Sequence, residues 1–193
     1  MTEPAPHLEI ERRFLIGGVP PDEAWPVPFL DTEIVQTYLT VPPWSPPGAT
    51  ERVRARTPLG PIGDEAAVTV YTHTTKEPVP ASLGKGTFGS KEYEREIPEA
   101  VYRNLLRRAS PEHEPLHKIR RVFTWVGMVM ELDTYPTLDN EFSPEGEPLR
   151  ILEVELDKAD DIFTVPDWLS PFIQEVTGES TYSNWNLARK PSP

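Results

Sequence analysis

Apolar and charged residues alternate along much of this chain with a period of two. In HLEIERRFLI (7–16), Glu9, Glu11 and Arg13 interleave with Leu8, Ile10 and Arg12. That is the period of a β-strand, whose successive side chains point to opposite faces. IVQTYLTV (34–41) is rich in the β-branched and aromatic residues that suit strands. ATERVRART (49–57) sets Arg52, Arg54 and Arg56 against Val53 and Ala55, and AAVTVYTH (66–73) is a further strand candidate. SKEYEREI (90–97) sets Glu92, Glu94 and Glu96 against Tyr93, Arg95 and Ile97. HKIRRVFTW (117–125) and MVMELDTY (128–135) read as a hairpin about Val126-Gly127, with Lys118 and Arg120 on one arm and Glu131 and Asp133 on the other. RILEVELD (150–157) places Glu153 and Glu155 opposite Leu152, Val154 and Leu156.

Helical spacing is rarer. PEAVYRNLLRRAS (98–110) has Pro98 for a first turn and Val101, Leu105 and Ala109 in register. SPFIQEVTG (170–178) has a Ser cap, Pro171 and a Gly178 stop, and a last short helix is expected after Thr181. The pattern predicts seven or eight strands, mostly antiparallel because the connections are short, plus small helices.

Any half-solvated sheet alternates apolar and polar residues. Here, however, six segments carry charges at i and i+2, some acidic (92/94, 131/133, 153/155), some basic (52/54/56, 118/120) and one mixed (9/11/13). If the sheet closes with these faces inward, its lumen holds at least eight carboxylates and six basic groups. Such burial is costly unless the charges are paired, hydrated or bound to a metal. A highly charged ligand resolves the cost, because carboxylates hold Mg²⁺ or Mn²⁺ while Arg and Lys complement phosphate.

Composition narrows the classes. The 193 residues suit a single domain spanning 1–193. No cysteine is present, so thiolate chemistry and disulfides are excluded. A net charge of −12 disfavours nucleic acid and acidic membranes as partners. No apolar run reaches the roughly 18 residues of a membrane span, and no signal peptide is visible, so a cytoplasmic location is expected. Proline is abundant, 24 residues, and concentrates in connectors such as VPPWSPPG (41–48), EPVP (77–80) and SPEGEP (143–148), which read as stiff loops.

Two motif matches are decoys. HEPLH (113–117) fits H-E-x-x-H, but Pro115 between the histidines denies them a shared helical face. GTFGSKE (86–92), preceded by Gly84, reads Gly-Ser-Lys where a phosphate loop needs Gly-Lys-Ser/Thr, and it leads into a strand.

Taken in order, EIERRFL (9–15), QTYL (36–39), RVRAR (52–56), KEYEREI (91–97), KIR (118–120), MELD (130–133) and LEVEL (152–156) resemble the signatures of CYTH domains, the triphosphate tunnel metalloenzymes. TYSNWNLA (181–188) is similar to that family's C-terminal plug helix. The resemblance implies an α+β fold: a closed eight-stranded antiparallel β-barrel, or tunnel, with peripheral helices and the plug. It implies metal-dependent hydrolysis of a small anionic triphosphate, inorganic tripolyphosphate first, with Mg²⁺ or Mn²⁺. By position, Glu9, Glu11, Asp133, Glu153 and Glu155 would bind metal, and Arg13, Arg52, Arg54, Arg56, Lys118 and Arg120 would grip phosphates. Glu11, Lys118 and Glu155 would carry catalysis, with Glu92, Glu94 and Glu131 lining the lumen around them. The same resemblance leaves open an adenylyl cyclase of class IV type, a non-catalytic triphosphate-binding module, and a homodimer. Departures from the family are Arg13 for the motif lysine, Tyr71 for a strand lysine, and Ser183 or Trp185 for a plug lysine.

Overall fold

The computed structural model describes residues 7–60, 67–78, 88–139, 146–156, 158, 161–169 and 172–191, with backbone alone at 7–9 and 88–89. Half of EPVP (79–80), half of SPEGEP (143–145) and the start of GTFGSKE (86–87) lie outside the described residues. Among the described residues, nine strands form one antiparallel sheet: β1 (His7–Ile16), β2 (Phe29–Leu39), β3 (Thr50–Leu59), β4 (Val70–Pro78), β5 (Phe88–Glu96), β6 (Leu116–Trp125), β7 (Met128–Asp139), β8 (Pro148–Leu156) and β9 (Ile173–Glu175). Their order is β5-β4-β3-β2-β6-β7-β8-β1-β9, with a further pairing of β5 to β1.

The expectation of an eight-stranded closed barrel with peripheral helices and a plug helix is therefore corrected. One edge of β1 pairs with β8 over Ile10–Leu15. The other edge is divided: β5 takes only His7–Glu11, and β9 takes Phe14–Ile16. Helical structure among the described residues is slight, namely α1 (Glu99–Leu105), α2 (Asn184–Leu187) and three 3₁₀ turns. The expected helix over 170–178 is instead β9. Its backbone meets the portion of β1 that β5 does not reach, with Gly17 N–H donating to Phe172 O at 2.9 Å and Val176 N–H to Arg13 O at 2.9 Å. Unpaired donors and acceptors on a strand edge outweigh the weak helical preference of nine residues.

Local chemistry explains the clearest elements. The β6–β7 hairpin turns through Val126 (φ 50°) and Gly127 (φ 80°), both left-handed as a two-residue type I′ turn requires. The short α1 begins after Pro98 and packs Tyr102 beside Leu39, Val53 and Tyr71 on the outer side of β3 and β4.

Register then sorts every side chain. Directly opposed residues of an antiparallel pair share a face. Glu11 opposes Glu155, Arg13 opposes Glu153, and Glu153 opposes Glu131. Arg120 opposes Asp133, Ile34 opposes both Lys118 and Arg56, and Gln36 opposes Arg54. Arg52 opposes Thr74, Thr74 opposes Glu94, and Lys76 opposes Glu92. The charged candidates of all these strands thus fall on one face.

The outer face carries the main apolar core: Ile10, Phe14, Phe123, Met130, Leu132, Leu152 and Val154, covered by Trp25 and Leu169 from connecting segments. Trp25 meets Phe29, Phe123 and Trp168 edge-on at centroid separations of 5.6, 5.5 and 5.0 Å. A second cluster closes one end of the charged face, where Trp185, Leu187 and Ala188 pack on Tyr38, Leu116, Tyr135 and Ile151. Among the described residues, no helix is long and apolar enough to cross a membrane.

Candidate functional site

The shared face encloses a polar cavity of about 300 Å³ to which β1–β8 all contribute. Six cations line it, Arg13, Arg52, Arg54, Arg56, Lys76 and Arg120, with six carboxylates, Glu11, Glu92, Glu94, Glu131, Glu153 and Glu155. Ser183, Asn184 and Trp185 border it from the C-terminal segment.

On the β1, β6, β7 and β8 side the charges form one network. The guanidinium of Arg13 bridges Glu11 and Glu153, donating to the latter from Nε at 3.1 Å. Arg120 donates from Nη2 to Glu153 at 2.8 Å and from Nη1 to Glu131. It also holds both oxygens of Asp133 at 2.7 Å. Glu131 and Glu153 are like charges directly across two strands, which is unfavourable unless a cation joins them. Arg120 is that cation. Burial alone would raise the Glu153 carboxyl, but Arg13, Arg120 and Lys118 hold it well below the usual carboxylate range. Arg120 is pushed the other way: burial opposes its charge, yet Asp133, Glu131 and Glu153 raise it well above its ordinary value.

On the β3, β4 and β5 side the arginine pairs are longer. Arg52 reaches Glu92 at 3.3 Å, Arg54 reaches Glu94 at 3.2 Å and Arg56 reaches Glu94 at 3.5 Å. Lys76 holds Glu92 at 2.6 Å. Burial lowers the Arg54 guanidinium to about 10, assisted by the positive charges of Arg52 and Arg120. Cationic repulsion inside a low-dielectric wall is what an incoming anion relieves.

The predicted residues divide accordingly. Glu11, Glu153, Glu155, Glu92, Glu94 and Glu131 line the cavity, as do Arg13, Arg52, Arg54, Arg56 and Arg120. Glu9 lies on β1, and its side chain is outside the described residues. Lys118 and Asp133 are wholly buried and do not line the cavity. Lys118 Nζ donates to Asp133 at 2.5 Å, so with Arg120 both Asp133 oxygens are engaged in ion pairs; both Glu153 oxygens are engaged likewise, by Arg13 and Arg120, but Glu153 lines the cavity and Asp133 does not. Burial and Arg120 lower the Lys118 ammonium to about 8, against the attraction of Asp133.

The residues missed by the sequence are equally specific. Tyr71 opposes Ala55 on the outer face, while Lys76 opposes Glu92 and lines the cavity. The signal was the T-T-K at 74–76, obscured because β4 starts at Val70 rather than residue 66. Asn184, between the two positions considered for a plug lysine, accepts from Tyr135 Oη at 2.9 Å and Lys118 Nζ at 3.4 Å. Neither histidine of HEPLH is placed for zinc, since His113 Nδ1 meets Ser110 Oγ at 2.9 Å and His117 Nε2 meets Glu33 at 3.0 Å.

The guanidinium and carboxylate groups interleaved on this buried face are paired largely with one another, and guanidinium groups complement carboxylate and phosphate oxygens alike. Over 100 residues, 52% of this chain, the sequence is 36% identical to a protein named inorganic triphosphatase from Acetivibrio thermocellus. The match spans 57% of that relative's length. No protein-family model matches the chain. Among solved structures, the PH1819 protein from Pyrococcus horikoshii aligns with a TM-score of 0.49 and 20% identity, covering 79% of this chain and 80% of that one. The Schizosaccharomyces pombe Mediator head module aligns with a TM-score of 0.44 and 10% identity, covering 82% and 86%. Likenesses at that level say nothing of function.

Proposed function

We propose that this protein hydrolyses a small triphosphate, inorganic tripolyphosphate first, with a divalent cation, Mg²⁺ or Mn²⁺. The observation that carries the reading is the convergence of six cations and six carboxylates on one cavity of about 300 Å³. The partial identity to an inorganic triphosphatase supports it.

The donor set fits a hard divalent ion in kind. Glu11 and Glu155 are directly opposed, and Glu153 follows on the same face, all oxygen donors. Among the described residues, no three carboxylates stand ready as a preformed cation cage. We assign Glu11, Glu153 and Glu155 to the metal, with Glu9 beside them on β1, and leave Asp133 to its ion pairs. A bound divalent ion would supply Lewis-acid polarisation of a phosphate oxygen and a more acidic bound water.

The chain's own residues do the rest. Arg52, Arg54, Arg56 and Lys76 bind phosphate oxygens along one wall and spread the charge that develops on the leaving phosphate. Arg13 and Arg120 hold the carboxylates of the opposite wall in place. The C-terminal Ser183–Trp185 segment closes one end and limits water entry.

Phosphate release from tripolyphosphate with Mg²⁺ or Mn²⁺, against an EDTA control, tests the reading. Release that requires the metal, and is abolished by Glu11→Gln and by Glu155→Gln without loss of fold, is expected. Absent or metal-independent release rejects it.

A further inference from the structure

Gln36 is completely buried on β2, within the wall that carries Arg54 but outside the lining of the cavity. Its Oε1 accepts from Arg54 Nε at 3.0 Å. A guanidinium has donors and no acceptor, so the oxygen must face it, and the amide nitrogen must point the other way. That nitrogen, Nε2, is buried and has no hydrogen-bond partner among the described residues. Burying an unsatisfied amide donor is costly, and an apolar residue of similar size at this position would avoid it. The oxygen is therefore the useful half of the side chain.

What the oxygen does follows from Arg54's surroundings. Arg54 is buried beside two other cations, Arg52 and Arg120, and these with burial lower its guanidinium to about 10. Its other contact of this strength, Glu94 at 3.2 Å, is a carboxylate that a phosphate would compete with. Gln36 alone fixes the arginine through Nε with a neutral group. A neutral partner at Nε sets the direction of the guanidinium without cancelling its charge, which Glu94 offsets through Nη1.

Resting on the triphosphate reading above, we propose that Gln36 is a positioning residue, a neutral anchor that aims Arg54 into the cavity while leaving its charge for the substrate's phosphate. A carboxylate there would hold Arg54 as firmly but cancel the charge. An apolar residue would leave the charge but lose the aim.

The test measures KM and kcat for tripolyphosphate in the full chain, together with thermal midpoints. Gln36→Met should raise KM about tenfold or more, the scale of one lost charge-assisted hydrogen bond, with much less change in kcat. In an Arg54→Met background the same substitution should add nothing, because its effect runs through Arg54. Gln36→Glu should melt no lower than wild type yet also raise KM about tenfold, stability and affinity moving apart. This second variant decides the matter if Gln36→Met does not fold. Equal KM in Gln36→Glu and wild type overturns the neutral-anchor role. So does a Gln36→Met effect that persists undiminished without Arg54. A wild-type protein that neither binds nor cleaves tripolyphosphate overturns the functional reading and this role with it; normal wild-type turnover with indifferent variants overturns this role alone.

Discussion

Asp133 is the place where the charged wall is most exposed to a single change. Its side chain is fully buried, and it neutralises two cations at once, Lys118 at 2.5 Å and Arg120 at 2.7 Å. Replacing it by leucine keeps the branching and heavy-atom count of the side chain and removes the charge. Breaking a buried ion pair from one side costs about 3–5 kcal/mol, because the remaining charge is left without compensation. Two orphaned cations put Asp133→Leu at the upper end. Arg120 keeps Glu131 and Glu153, and Lys118 can shed its proton, so the loss should stop at about 4–5 kcal/mol. For a chain of this length that is a fall of about 10–20 °C in midpoint. Urea titration followed by near-ultraviolet dichroism and fluorescence, with the slope m held constant, measures it. The double variant Lys118→Met/Asp133→Leu replaces the pair by apolar residues and should recover at least half of the loss. A single-variant loss below about 1 kcal/mol, or a double variant no more stable than the single, would refute the claim that Asp133 compensates the buried charge of Lys118.

Other outcomes follow from the same structure. Lys118 carries its proton in both states below pH 8; from there to 10.5 the unfolded chain holds it and the folded chain does not, so stability rises with pH across that window. Urea titrations from pH 7.5 to 10 should show wild type gaining on Lys118→Met; parallel curves would contradict the burial assigned to it. Val126 is a β-branched residue at φ 50°, so Val126→Asn should stabilise the hairpin by about 1 kcal/mol, read as a higher midpoint in calorimetry. Trp25→Ala removes a ring packed against Phe29, Phe123 and Trp168 and should cost about 3–5 kcal/mol by the same urea assay; a loss under about 1 kcal/mol would mean the segment over the outer face is dispensable.

How much of this was legible beforehand depends on whether a residue's place is set by its own segment. β1, β3, β6, β7 and β8 announce themselves, because strict alternation fixes both the element and the face. Once those strands pair, Glu11, Arg54, Arg120 and Glu153 must share a side. Lys76 was hidden because VYTHTTKEP mixes hydroxyls, a histidine and an aromatic with no clear alternation, so its frame comes only from pairing with β3 and β5. β9 was misread because its conformation is imposed by β1's vacant edge, a long-range contact absent from the local pattern. Gln36 and Asn184 lie within QTYL (36–39) and TYSNWNLA (181–188), but carry no charge and so were not singled out. Their importance lies in what their oxygens touch. The strand count and the extent of helix went wrong for the same reason as β9, since both depend on how one strand divides its edge.

The placement of chemistry on alternate residues of eight strands makes this protein unusually intolerant of changes in spacing. One extra residue at the start of β3 would turn Arg52, Arg54 and Arg56 to the outer face and Val53 and Ala55 to the charged one. Substitutions can accumulate on the outer face and length can vary in the connectors, but the reading frame of each strand is as much a part of the site as any side chain in it.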